Sequence, residues 1–232
     1  MRSRVVLALT VALLVAPATA VQAAAPRPVA VWEMNEPAGA RSMRDSGGGG
    51  LHGRIGADVV TGARIAGAFG YSFPRLEPDR PPARPRHLVV VPHSTALNPG
   101  NRDFAVTVRT NTRIMFGNII QKGQSGNRGG YFKVENPGGV IQCFFQGPEG
   151  RVAVRSPRRL NDGRWHTIRC KRTARGVSML VDGELVARGR GRTGTIANDW
   201  PVAIAGKVDC DQIEVGCDYY AGHLDRIRID AG

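Results

Sequence analysis

A hydrophobic period of two, repeated along the chain and interrupted by turn-forming pairs, constrains this sequence more than any other feature. Phe104, Val106 and Val108 alternate with Ala105, Thr107 and Arg109, and Val177, Met179 and Val181 alternate in the same way. Ile227 and Ile229 alternate with Arg226 and Arg228. Successive side chains of an extended chain point to opposite faces, so this spacing specifies strands with one buried face. Further strands are expected at 29–34, 51–55, 87–91, 117–122, 131–135, 140–145, 151–155, 165–170 and 202–205. Between them stand Asn136-Pro137-Gly138-Gly139, Asp162-Gly163 and Asp182-Gly183, which are turn signals. No capped helical period longer than about ten residues occurs. About a dozen short strands at this spacing predict an all-β, antiparallel sandwich or barrel. The 30 glycines and 15 prolines are then turns between strands, and 42% apolar residues suffice for a core.

The first residues read as a targeting signal. Arg2 and Arg4 precede the apolar run 5–16, broken only by Thr10, and Pro17 and a small-residue stretch follow at 18–25. As a helix the run would span about 18 Å, short of the ~30 Å hydrocarbon core, so no membrane span is expected. Cleavage is expected after Ala23, with Ala20 as the alternative. Residues 1–23 are read as a signal peptide and 24–232 as one secreted, extracellular domain.

Removing the two signal arginines takes the net charge from +13 to +11, and 28 of the 32 basic residues are Arg. That excess suits a polyanion such as an acidic polysaccharide or wall polymer, or it decorates a solvated surface. We favour the solvated surface, because blocks of like charge are ordinarily solvated faces. Nucleic acid is not expected as a partner, since no recognition module for it is present. Pro74 to Arg86 carries five prolines and four arginines and is read as a surface insertion. Gly47 to Gly50 is read as a flexible turn, and the G-x-G-x-x-G match at Gly48, Gly50 and Gly53 as chance, since no following helix supports it.

Four cysteines in an exported chain imply disulfides, with three pairings open. We choose Cys143 with Cys170, on what read as neighbouring strands, and Cys210 with Cys217, which close a short loop. Loop-closure entropy assigns these about 3.6 and 2.5 kcal/mol. The spacing does not suit zinc.

Several segments resemble the laminin-G-like branch of the concanavalin A-like lectin/glucanase superfamily. The strongest is Leu160-Asn161-Asp162-Gly163-Arg164-Trp165-His166-Thr167-Ile168, followed by Met179-Leu180-Val181-Asp182-Gly183. Val31 to Glu36 with Gly39, Asp45 and Ser46 is similar to the family's opening strand and turn. Val91 to Ser94, Leu97-Asn98 and Asp103 to Val106 are similar to its middle, and Gly222 to Ile229 to its closing strand. The resemblance implies a jelly-roll sandwich. Trp165 is expected to pack rather than bind, and His166 to be a hydrogen-bonded, half-buried imidazole.

Chemistry is not expected. The glycosidases that share this sandwich aim two carboxylates from an E-x-D-x-x-E strand, and no such strand occurs here. Neither G-x-S-x-G nor H-E-x-x-H is present. Asp225 poses a separate question, because strict alternation places it on the face of Ile227 and Ile229, where an unpaired charge is costly. The resemblance implies a structural Ca²⁺ held by Asp45 and Asp225, with Glu36 as a third ligand. An Arg partner, backbone N–H groups or a bulge turning Asp225 outward would answer equally well. For ligands, Asn198, Asp199 and Trp200, and the pair Tyr219 and Tyr220, put rings and polar groups near turns, with Asn127 and Tyr131 as weaker additions. The expectation is a non-catalytic carbohydrate-binding module for an extracellular or cell-wall glycan. The alternative is a module recognising an extracellular protein, which the same fold supports, with an atypical hydrolase a distant third.

Overall fold

The computed structural model describes residues 28–76, 86–208 and 218–232. The signal segment, most of the proline-rich insertion, and both Cys210 and Cys217 lie outside the described residues. Strands occur at each of the expected positions, and further ones stand where no alternation is read. They are β1 (Pro28–Trp32), β2 (Ser42–Met43), β3 (Gly53–Ile55), β4 (Val60–Ile65), β5 (Ala68–Phe73), β6 (Val89–Val91), β7 (Phe104–Asn111) and β8 (Asn118–Lys122). The second half adds β9 (Tyr131–Glu135), β10 (Gln142–Gly147), β11 (Gly150–Arg155), β12 (His166–Thr173), β13 (Gly176–Val181), β14 (Glu184–Arg190), β15 (Val202–Ile204) and β16 (Gly222–Ala231).

These strands form two antiparallel sheets packed as a sandwich. One runs β14-β13-β12-β7-β16-β5-β4, with β1 also paired to β16, and the other runs β11-β10-β9-β8-β15-β6-β3-β2. Inward residues from both layers make one core: Val106, Val108, Ile168 and Met179 from the first sheet meet Ile120, Phe132, Val134 and Phe145 from the second. Phe104 packs across the layers, its ring centroid 5.1 Å from that of Phe132. The β13–β14 turn takes positive φ at both Asp182 (52°) and Gly183 (89°), as a two-residue hairpin turn requires.

The Cys143–Cys170 disulfide is present, with Cα atoms 5.6 Å apart, but it differs from the neighbouring-strand arrangement expected. Cys143 lies in β10 and Cys170 in β12, so the bond joins the two facing layers through the core. Both residues occupy inward positions of their alternation, and sheets packed face to face bring such positions together.

Strict alternation also fails at Asp225. The β16–β7 register shifts between Leu224 and Ile227, so Leu224, Ile227 and Ile229 all point inward while Asp225 turns away from the core. There it pairs with Arg109, whose guanidinium also lies over the Trp165 ring at 4.7 Å. Trp165 is half-buried and donates its Nε1–H to the Ile65 carbonyl (3.0 Å), fixing the β4–β5 hairpin against β12. His166 is buried rather than half-buried, with Nδ1 2.8 Å from Asp182 and Nε2 3.1 Å from Asp162. With a carboxylate at each of its two ring nitrogens, this imidazole links the turns before β12 and after β13.

Candidate ligand-binding cleft

Two connections meet at one end of the second sheet. The β8–β9 loop, residues 123–130, packs against the segment 196–201 that leads into β15. Gly129 allows the approach. It has φ +85°, and a Cβ there would stand 1.7 Å from the Ala197 carbonyl oxygen. The main chains are tied by Ala197 N–H donating to Gly129 O at 2.8 Å.

Beneath them lies Lys122, with no exposed surface. Its Nζ donates to the Asn198 carbonyl (2.8 Å), to Asn198 Oδ1 (3.1 Å) and to the Trp200 carbonyl (2.8 Å), and sits 3.2 Å from His93 Nδ1. Burial pushes the ammonium down to about 8, and the charge of Asp199 only partly opposes this. Asn198 is the second half of the anchor. Its Nδ2 donates to Gly130 O, its Oδ1 accepts from Trp200 N–H, and its own N–H reaches Asn98 Oδ1. Asn198 is therefore a positioning residue, its amide spent on the loop.

What this anchor presents is an open cleft of about 700 Å³ lined by Thr95, Asn127, Arg128, Asp199 and Trp200, among others. The Asn127 amide, oriented with its oxygen toward the indole, accepts from Trp200 Nε1 at 2.8 Å. The Trp200 ring is half-buried, and the Asp199 carboxylate is 98% exposed, with His93 Nε2 3.5 Å from it. A fixed ring edged by an amide, a guanidinium, a hydroxyl and a carboxylate can stack on an apolar face of a ligand and hydrogen-bond around its rim. A second cleft of about 430 Å³ shares Asn127, Gly129 and Ala197 with the first and continues past Gln146 and Thr195.

Asn198, Asp199 and Trp200 are thus brought together, and Asn127 joins them. Tyr219 and Tyr220 are not part of this group. The bridge between Asn118 and Tyr219 puts that pair at the opposite end of β8 from Lys122. Tyr219 is half-buried against His87 (5.6 Å between centroids), and burial pushes its hydroxyl up to about 12. Tyr220 is removed from the ligand-binding set: it is 1% exposed, and its hydroxyl is used by Thr110, Asn111 and His223 inside the core. Tyr131 stacks on Phe144 at 5.1 Å and is also buried.

The calcium set does not fit a cation. Asp45 is buried, and its oxygens accept the N–H groups of Val31 (2.9 Å), Gly47 (2.8 Å) and Leu51 (3.0 Å). Those N–H groups surround the carboxylate with partial positive charge, which repels a cation. Gly47 to Gly50 is accordingly a wrapped cradle rather than a flexible turn. Asp225 is occupied by Arg109, and Glu36 accepts from Arg44 N–H and the Tyr71 hydroxyl. Among the described residues no group of three or more His, Cys, Asp or Glu could hold a metal ion.

Sequence reasoning missed Lys122, His93 and Asn98. Lys122 did leave a signal: it is one of four lysines in a chain that otherwise uses arginine, and it ends an apolar strand. A buried cation needs acceptors, and loop carbonyls supply them only after folding.

A sequence profile of the Laminin G domain matches residues 93–231. Sex hormone-binding globulin from Phodopus sungorus is 30% identical over 84 residues, covering 36% of this chain and 21% of that protein. The chain thus spans about a fifth of that relative's length. Domain 4 of the extracellular arabinanase AbnA from Geobacillus stearothermophilus, solved in complex with arabinotriose, superposes with a TM-score of 0.61 at 13% identity. That superposition covers 89% of this chain and 93% of the domain. Domains LG4-5 of the mouse laminin alpha1 chain give a TM-score of 0.51 at 19% identity, covering 62% of this chain and 40% of that one.

Proposed function

Because this chain belongs to the laminin G domain family, we propose that it is an exported, non-catalytic binding module that holds a glycan in the cleft around Trp200. One observation carries the reading: the indole is immobilised by Asn127 at its Nε1 and by the Lys122 network at its backbone, while Asp199, Arg128 and Thr95 stand beside it. A ring fixed before binding loses little entropy when a sugar stacks on it. Support for a saccharide comes also from the AbnA domain, a similar fold that holds arabinotriose. Support for export comes from the Cys143–Cys170 disulfide and from the charged-then-apolar order of the first residues.

A glycan array followed by calorimetry on the hits tests the proposal. Trp200→Ala is expected to lower affinity at least about tenfold, equivalent to ~1.4 kcal/mol, without lowering thermal stability in proportion. A blank array together with capture of an extracellular protein would replace the glycan by a protein partner. Release of reducing ends from any bound polysaccharide would overturn the non-catalytic assignment.

A further inference from the structure

Three loops gather at one end of the sandwich: residues 112–117 between β7 and β8, 136–141 between β9 and β10, and 156–165 between β11 and β12. Their main chains are laced together. Gly139 N–H donates to Met115 O (2.9 Å), Leu160 N–H to Gly139 O (2.8 Å), Gly163 N–H to Thr112 O (3.0 Å) and Asn136 N–H to Gly117 O (2.8 Å). Asn136 Nδ2 closes the turn on Ile114 O at 2.7 Å. With the backbone held on both sides, Met115 and Phe116 cannot fold back onto the core. They stand 48% and 46% exposed, two adjacent large apolar side chains at a fixed tip.

Basic groups surround that tip. Arg113, Arg158 and Arg159 are exposed, and Arg164 is 76% exposed. Arg113 lies over Gly163, where an added Cβ would meet its guanidinium carbon at 2.7 Å, so the first loop and the third share this charge. The acidic groups nearby, Asp162 and Asp182, are occupied by His166, and Asp162 also by Arg164. An apolar point ringed by guanidinium groups is complementary to a surface that carries negative charge outside and hydrocarbon just beneath.

We propose that this loop tip docks peripherally on an anionic lipid surface, Met115 and Phe116 entering the headgroup boundary while Arg113, Arg158 and Arg159 contact phosphates. An acidic protein would match the charge, but it offers no hydrocarbon layer for two outward apolar side chains. The site is separate from the Trp200 cleft and stands whether or not that cleft binds glycan.

Vesicle sedimentation tests the proposal, using the secreted protein with phosphatidylcholine vesicles and with vesicles containing phosphatidylglycerol. The wild type is expected to pellet with the anionic vesicles only, and less so as salt rises. Arg158→Gln with Arg159→Gln should reduce partitioning roughly 30-fold, the consequence of losing two basic contacts. Met115→Ser with Phe116→Ser should reduce it as well while lowering the melting temperature by only a few degrees, because about half of each side chain is already exposed. A wild type that stays in the supernatant with anionic vesicles overturns the proposal. So does a Met115→Ser, Phe116→Ser double variant that pellets like wild type, which would mean charge adsorption without insertion.

Discussion

Lys122 grips Asn198 twice, through the backbone carbonyl at 2.8 Å and through Oδ1 at 3.1 Å, and so fixes the residue on which Trp200 is mounted. The lysine comes from the end of β8 and the asparagine from the segment entering β15, 76 residues later. Replacing Lys122 by Met keeps the packing volume but leaves two buried carbonyls unpaired. The expected loss is about 2–3 kcal/mol of stability, read as a lower urea midpoint with unchanged slope. Glycan affinity should fall with it, since Trp200 loses its support.

The same lysine gives the protein a pH signature on the alkaline side. Its folded-state value of about 8 lies below its ordinary 10.5, so between these pH values the native chain sheds a proton that the unfolded chain keeps. Stability contributed by this group therefore rises with pH across that window. The difference in unfolding free energy between wild type and Lys122→Met, followed from pH 8 to 10.5, should change in favour of the wild type. A flat difference would show that the ammonium is not buried in solution.

Asp45 acts in the acid range, and with the same sign, its contribution also rising with pH. Burial pushes its carboxyl up, but N–H donors from Val31, Leu51 and Gly47 outweigh burial and hold it below 3.8. Its contribution is present in full above the ordinary carboxylate range and is lost as pH falls through the lowered native value. Asp45→Asn should destabilise the domain by about 1–3 kcal/mol at neutral pH, because one amide face meets N–H groups with N–H groups. The variant's penalty should shrink as the pH is lowered below 3.8.

Gly129→Ala should damage the cleft more than its size suggests. The substitution meets the Ala197 carbonyl at 1.7 Å and demands a left-handed backbone, so the two loops must separate. Loss of binding with a melting temperature lowered by several degrees is expected. Wild-type affinity in this variant would mean that the contact between the loops does not shape the site.

Removing the Cys143–Cys170 bond with paired serines should cost roughly 3–4 kcal/mol, from the freedom returned to the unfolded chain. The reduced wild type should melt no higher than the double variant, since reduction also opens the Cys210–Cys217 bond expected from the sequence.

The strands with a clear inside and outside, such as β7, β12 and β13, were legible because burial of one face imposes a period of two on the residues themselves. The edge elements were not. β14 is exposed on most of its length, and β4 has a single buried residue among six, so neither carries an alternating pattern to read. Tyr219 and Tyr220 show the limit at the site: adjacent rings on one extended segment face opposite ways, and alternation alone does not say which one enters the core.

Order along the chain determined the sandwich, the hairpin at Asp182-Gly183, the involvement of cysteine and the short polar segment bearing Trp200, because each rests on the conformational preferences of a few consecutive residues. Tertiary structure decided that Cys143 and Cys170 join facing layers, that Asp225 leaves the core for Arg109, that Asp45 gathers amides, and that Lys122 holds the cleft. Each of these depends on a register shift or on groups brought together from distant parts of the chain, and such contacts have no local energy for a sequence pattern to record.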